Sequence, residues 1–205
     1  MIGTKEISKK FVSELRGDIR SEGFISLPTF NFEKYQEESR VPFGILKYFN
    51  EEFIAPNNSI TFNVSSGESI IIIPLTGAAD VAFKNQKSFV HIEQLWVNSS
   101  VKTQRITITN PYSKNWIHYL HIRLSTETSF AQLDFDYQTK DLLKTIYTGE
   151  NIFLKTGLFE AKTEIEYHIP DNSSIFGFVI NGAFECNNRL LRNKRCYLLT
   201  RIKNL

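Results

Sequence analysis

The sequence predicts an all-β protein built from two small barrels, and three observations carry that prediction. Nearly every periodic segment alternates with a period of two, those segments are rich in Ile, Val, Phe, Tyr and Thr, and one strand-turn-strand unit occurs twice. The 205 residues, 41% apolar and including 17 Phe and 8 Tyr, suffice for one large core or two small ones and leave no case for disorder. Strands are expected near 43–50, 59–65, 69–75, 78–84, 87–97, 104–109, 117–125, 130–137, 151–160, 163–169, 174–180, 183–187 and 194–202. Ile7, Phe11 and Leu15, stopped by Gly17, form the one helix-like pattern, short enough to be an extended arm. Thr76-Gly77 and Asn181-Gly182 sit between apolar runs and read as hairpin turns.

The repeat has a definite offset. Shifting the chain by 105 positions lays Ser69–Val81 on Ser174–Cys186 without a gap, with serine, isoleucine, glycine and alanine coinciding, and carries Ile60–Val64 onto Ile165–Ile169. Two homologous barrels follow, residues 1–137 with an N-terminal arm and residues 138–205, with 138–150 as the connection. The second repeat lacks room for the last two strands of the first, so its open edge needs a cover, for which the segment 5–15 or a second chain is the candidate.

Charge and cysteine content narrow the function classes. With 24 Lys and Arg against 22 Asp and Glu, the net charge of +2 creates no global field for nucleic acid or membranes, so nucleic acid binding is not expected. The charge is unevenly placed: residues 189–203 carry six basic groups and no acid, which leaves −4 for the remainder. That tail is either an anionic docking patch or a set of charges protecting strand edges. Neither an apolar leader nor a run near ~18 apolar residues is seen, so a cytoplasmic location without membrane contact is expected. Cys186 and Cys196 lack CxxC spacing and read as small strand or core residues. Asp134 and Asp136 alternate with Leu133 and Phe135, the pattern of a solvent-facing strand side.

Specific segments carry a family resemblance. Arg16-Gly17, Thr29-Phe30, the stretch Phe30–Tyr35 and above all Pro42–Pro56 resemble the opening of pirins, the bicupin family that includes bacterial quercetin 2,3-dioxygenase-like proteins. Asn110-Pro111 and Ile117–Leu124 are similar to the stretch that closes that family's first cupin barrel, so the resemblance spans about 11–125. It implies a bicupin of two double-stranded β-helix, or jelly-roll, barrels, the second here lacking its closing strands. It also implies one iron or other divalent metal in the first barrel, held by three histidines and a glutamate on an H-x-H and an H-x-E strand.

Carried onto this chain, the ligand pairs fall on Asn63 and Ser65 and on Ile106 and Ile108, none of which is the expected residue. No metal cofactor is therefore expected, because isoleucine cannot ligate and Asn with Ser makes a very weak site. Thr61, Asn63, Ser65, Ile106, Ile108 and Tyr119 are the expected lining of the former site, which either packs shut or binds a small ligand. Of the four histidines, His91, His118 and His121 are expected in structural roles, the last two on opposite strand faces. His168 superimposes on Asn63 through the repeat, but Pro170 stands where a second ligand would follow.

Three readings of function remain. One is a metal-free, non-catalytic cupin that binds a small ligand or acts as a regulatory or interaction module. The second is a quercetin 2,3-dioxygenase-type oxidoreductase with an atypical metal site. The third is an interaction protein whose protein partner, or second copy, engages the C-terminal half.

Overall fold

The computed structural model describes residues 4–136 and 138–203 and contains strands with two short 3-10 turns, Ser13–Leu15 and Glu38–Arg40. The strands are β1 (Thr4–Phe11), β2 (Ile19–Ser21), β3 (Phe24–Pro28), β4 (Leu46–Ile54), β5 (Ser59–Val64), β6 (Glu68–Thr76), β7 (Ala79–Phe83), β8 (Gln86–Val90) and β9 (Gln94–Ser100). They continue as β10 (Gln104–Thr109), β11 (Ile117–Leu124), β12 (Ala131–Asp134), β13 (Lys144–Gly149), β14 (Ile152–Thr156), β15 (Ser173–Phe178), β16 (Ala183–Cys186), β17 (Arg189–Arg192) and β18 (Cys196–Lys203). None of the described helices is long and apolar enough to cross a membrane.

The chain forms two compact units, Gly17–Thr163 and Met1–Arg16 with Glu164–Leu205. The hairpin β13–β14 falls in the first of these, although the sequence places residues 138–163 in the second barrel. In the larger unit a seven-stranded antiparallel sheet, β12-β9-β6-β11-β4-β3-β2, faces a four-stranded sheet, β5-β10-β7-β8. Alternation drives the packing: Ile70, Ile72, Trp96, Ile117 and Tyr119 of the first sheet meet Val64, Val81, Phe83, Ile106 and Ile108 of the second in one buried core.

The smaller unit repeats part of this plan. In the larger unit β6 pairs with β9 around the hairpin β7–β8, and in the smaller β15 pairs with β18 around the hairpin β16–β17. The 105-residue repeat is thus a four-strand topological unit, with the inner hairpin strands trimmed from five residues to four. β1 runs antiparallel to β18 over eight residue pairs, so the N-terminal arm is a strand rather than a helix. It takes beside β18 the place that β12 takes beside β9. Ile169, Val179, Leu191, Tyr197 and Leu199 make this unit's own core.

Several expected elements change. Neither expected G-x turn closes a hairpin, because β6 and β7, like β15 and β16, lie in different sheets. Gly77 at φ +77 and Gly182 at φ +89 turn the chain from one sheet to the next. The hairpin turn of the smaller unit is Asn187-Asn188, both at positive φ, which is what a two-residue type I′ connection requires. The run 87–97 splits into β8 and β9 at a turn with Glu93 at φ +65. No strand forms at 163–169, where Glu164, Ile165, Glu166, Tyr167 and His168 are all exposed. Tyr137, the expected end of the strand at 130–137, lies outside the described residues.

Candidate functional site

The pairing of β5 with β10 decides what faces the barrel interior. Ile106 lies opposite Phe62, Ile108 opposite Ile60, and Arg105 opposite Asn63. Directly opposed residues share a sheet face, so Phe62 and Ile60 point inward with Ile106 and Ile108, while Asn63 points outward with Arg105. Burial agrees: Ile106 and Ile108 are 0% exposed, as is Val64, whereas Thr61, Asn63 and Ser65 are exposed.

The expected lining is therefore corrected for three of its six members. Thr61, Asn63 and Ser65 leave the barrel, and the Thr61 hydroxyl instead meets that of Thr107 at 2.9 Å on the outer face. Ile106, Ile108 and Tyr119 are inside, and the structure brings them together in the same core. The four positions carried over from the resemblance are divided between two sides of one sheet. A period-two pattern fixes which residues go together but not which set is inward, and β5 carries apolar Ile60, Phe62 and Val64 on the opposite parity to the carried-over pair.

Beside this apolar wall lies a buried polar network on β3, β4 and β11. Register places Glu52 opposite both Tyr119 and Ser26, Asn50 opposite His121, and Tyr48 opposite Arg123, all on one face. Glu52 Oε1 accepts from Ser26 Oγ at 3.2 Å and from Asn50 Nδ2 at 3.3 Å, and lies 3.0 Å from His121 Nδ1. Arg123 Nε donates to His121 Nε2 at 3.0 Å. Because a guanidinium only donates, Nε2 accepts from Arg123 and Nδ1 faces Glu52.

Arg123 also reaches β5 of the opposite sheet and the neighbouring strand β6 of its own. Its Nη1 donates to the backbone carbonyl of Asn63 and stands 3.7 Å from Glu68 Oε2. The guanidinium carbon lies 5.5 Å from the Tyr48 ring centroid and 5.9 Å from that of Phe62, whose ring is 4.7 Å from His121.

Burial pushes the Glu52 carboxyl up, but His121 and the hydrogen bonds around it outweigh that penalty and hold it below the usual range. Burial first, then the charge of Glu52, drives the Tyr119 phenol well above its ordinary value. Burial lowers Arg123, against the pull of Glu68 and Glu52. Among the described residues, Glu52 Oε2, Asn50 Oδ1 and Tyr119 Oη meet no partner in hydrogen-bonding geometry. Glu52, Tyr119 and His121 are fully buried, so this network is a tie inside the barrel and not a site open to substrate.

Sequence reading overlooked Glu52 and Arg123. The available signal was parity: Asn50 and Glu52 in β4, and His121 and Arg123 in β11, are polar i, i+2 pairs on one face of their strands. His118 and His121 do lie on opposite faces, with His118 stacked on Phe53 at 4.1 Å and 3.0 Å from Glu51 Oε1. His91 and His168 are exposed and outside strands. An open groove of about 630 Å³ near Ser99, Glu127, Ser129, Leu133, Tyr147 and Glu150 involves none of the expected lining residues.

In the basic segment, Arg189 and Arg192 are exposed on β17, whereas Arg195 reaches Glu14 at 2.7 Å. Backbone hydrogen bonding, followed by Arg195, lowers the Glu14 carboxyl to about 2. The side chains of Arg201 and Lys203 lie outside the described ones.

No protein-family model matches the sequence, and no curated protein does. Solved structures do match. YhhW from Escherichia coli superimposes with a TM-score of 0.72 at 13% identity, covering 97% of this chain and 99% of that one. The chain has the fold of a bacterial pirin. The structure of the bacterial pirin YhhW in complex with nickel(II) gives a TM-score of 0.70 at 13% identity over 97% of this chain and 100% of that one. AerE from Microcystis aeruginosa follows at 0.55 and 15% identity, covering 90% and 94%.

Within this pirin fold the donor set does not suit a divalent metal. The inward positions of β5 and β10 are hydrocarbon, and no group of three or more His, Cys, Asp or Glu able to hold a metal ion occurs among the described residues. The buried His121 nitrogen that would serve best already accepts from Arg123.

Proposed function

We propose that this chain is a metal-free, non-catalytic protein of the pirin fold that works through its surface, as a regulatory or interaction module. The observation that carries this reading is the filled barrel: Ile106, Ile108, Tyr119 and Val64 are all 0% exposed and packed with Phe62 and Ile60 where the resemblance would put a metal. The inward positions of β5 and β10, methyl groups beside an aromatic wall, offer no open coordination position. YhhW has been solved in complex with nickel(II), whereas the inward positions of β5 and β10 in this chain are filled by hydrocarbon. For a partner, exposed Arg189 and Arg192 on β17 supply the local positive charge and favour an acidic protein surface, with a second copy as the other candidate.

Elemental analysis of protein produced in medium supplied with iron, nickel, zinc and manganese tests the reading directly. Less than a tenth of an equivalent of each metal is expected, together with no oxidation of quercetin above the buffer rate. One equivalent of metal per chain, with turnover, would establish the quercetin 2,3-dioxygenase reading instead. Co-purification of a partner that is lost in an Arg189→Glu/Arg192→Glu variant supports the interaction role.

A further inference from the structure

Arg123 sits in surroundings made of cation ligands. Its contacts are an imidazole lone pair at 3.0 Å, the Asn63 carbonyl, a carboxylate oxygen of Glu68 at 3.7 Å, and the faces of Tyr48 and Phe62. These come from β4, β5, β6 and β11, or their immediate ends, so the cage draws on both sheets of the larger unit. Arg123 is only 4% exposed, and burying such a charge is costly unless every face of it is compensated.

We propose that Arg123 is the barrel's resident cation: its guanidinium fills a cation site formed by His121, Glu68 and the Asn63 carbonyl, bridges the two sheets, and keeps a divalent metal out. The proposal rests on the metal-free reading above and extends it with a site that none of the four carried-over ligand positions supplies through its side chain. One nitrogen and two oxygens are donor types that nickel or zinc accepts, and they line the space the guanidinium fills, His121 against Nε and the Asn63 carbonyl and Glu68 beside Nη1. Glu52, hydrogen-bonded behind His121, would orient the imidazole as an outer partner does in metal sites.

Shortening the side chain should expose the site. Arg123→Ala is expected to lower the Tm by about 10 °C, as loss of one partner from a buried ionic network does. It should take up one equivalent of added nickel or zinc, with part of the Tm restored, and Arg123→Ala/His121→Ala should take up none. Absence of uptake beyond that of the unaltered protein, or uptake unaffected by the His121 change, overturns the proposal. Stoichiometric nickel in the unaltered protein would instead overturn the metal-free reading, so the two failures are told apart. If Arg123→Ala does not accumulate, Arg123→Lys and Arg123→Met decide between charge and bulk: the lysine variant must retain the higher Tm, and equal values overturn the proposal.

Discussion

Glu52 is a carboxylate without solvent contact whose one oxygen takes three donors while the other meets none among the described residues. Its folded pKa is depressed, so it contributes stability above the ordinary value of 4.5, and that contribution is lost as pH falls through the folded value. Glu52→Gln should therefore cost about 3 kcal/mol at pH 7 in urea unfolding and flatten the acid limb of the stability curve. An unchanged acid limb would mean that Glu52 titrates alike in both states. A second residue-scale outcome concerns the metal positions. Introducing His, His, His and Glu at 63, 65, 106 and 108 should produce no stoichiometric metal site, because Asn63 opposes Arg105 and the two pairs occupy opposite faces. Retention of one nickel per chain after dialysis would contradict the register. Sequence made Ile106 and Ile108 legible as non-ligands, since composition alone excludes coordination. It could not show that Asn63 and Ser65 face away, because that depends on which parity the partner strands bury.

At the scale of elements, the two glycines that looked like hairpin turns connect sheets instead. Gly77 has φ +77, and a Cβ there would come within 3.1 Å of both Ile117 Cγ2 and Tyr112 Cε2. Gly77→Ala should destabilise the larger unit by about 1–2 kcal/mol, measured as a lower Tm, with Gly182→Ala milder because no atom lies within 4 Å of its Cβ position. At the Asn187-Asn188 turn, Asn188→Gly should be neutral or stabilising by a few tenths of a kcal/mol, because glycine meets no penalty at positive φ. These roles were hidden because a strand-glycine-strand pattern is identical for a hairpin and for a corner. Only long-range pairing, β6 with β9 and β15 with β18, separates them. The segment 5–15 was legible as a candidate cover for an open edge, because the second repeat lacks the last two strands of the first, and β1 pairs along β18.

For the molecule as a whole, the smaller unit is assembled from both ends of the chain, with β1 carried by the N-terminal segment and paired along β18. Lys162 is exposed at φ +70 in a stretch without strands, so trypsin should nick there first. The C-terminal fragment should nevertheless elute with the N-terminal one in native gel filtration, held by the β1–β18 ladder. Removal of residues 1–11 should release or precipitate it, and fragments that separate with β1 intact would refute this. Local chemistry in the sequence was enough to determine the strand-rich class, the internal repeat, the pirin-like opening and the missing ligands, because alternation, turn residues and donor types are properties of short segments. Tertiary structure alone decided which face of β5 is buried, which strands pair within each repeat, and that Glu52, His121 and Arg123 meet inside one barrel. Those outcomes follow from register and sheet closure, which bring together residues 26, 52, 68, 121 and 123 that no local pattern connects.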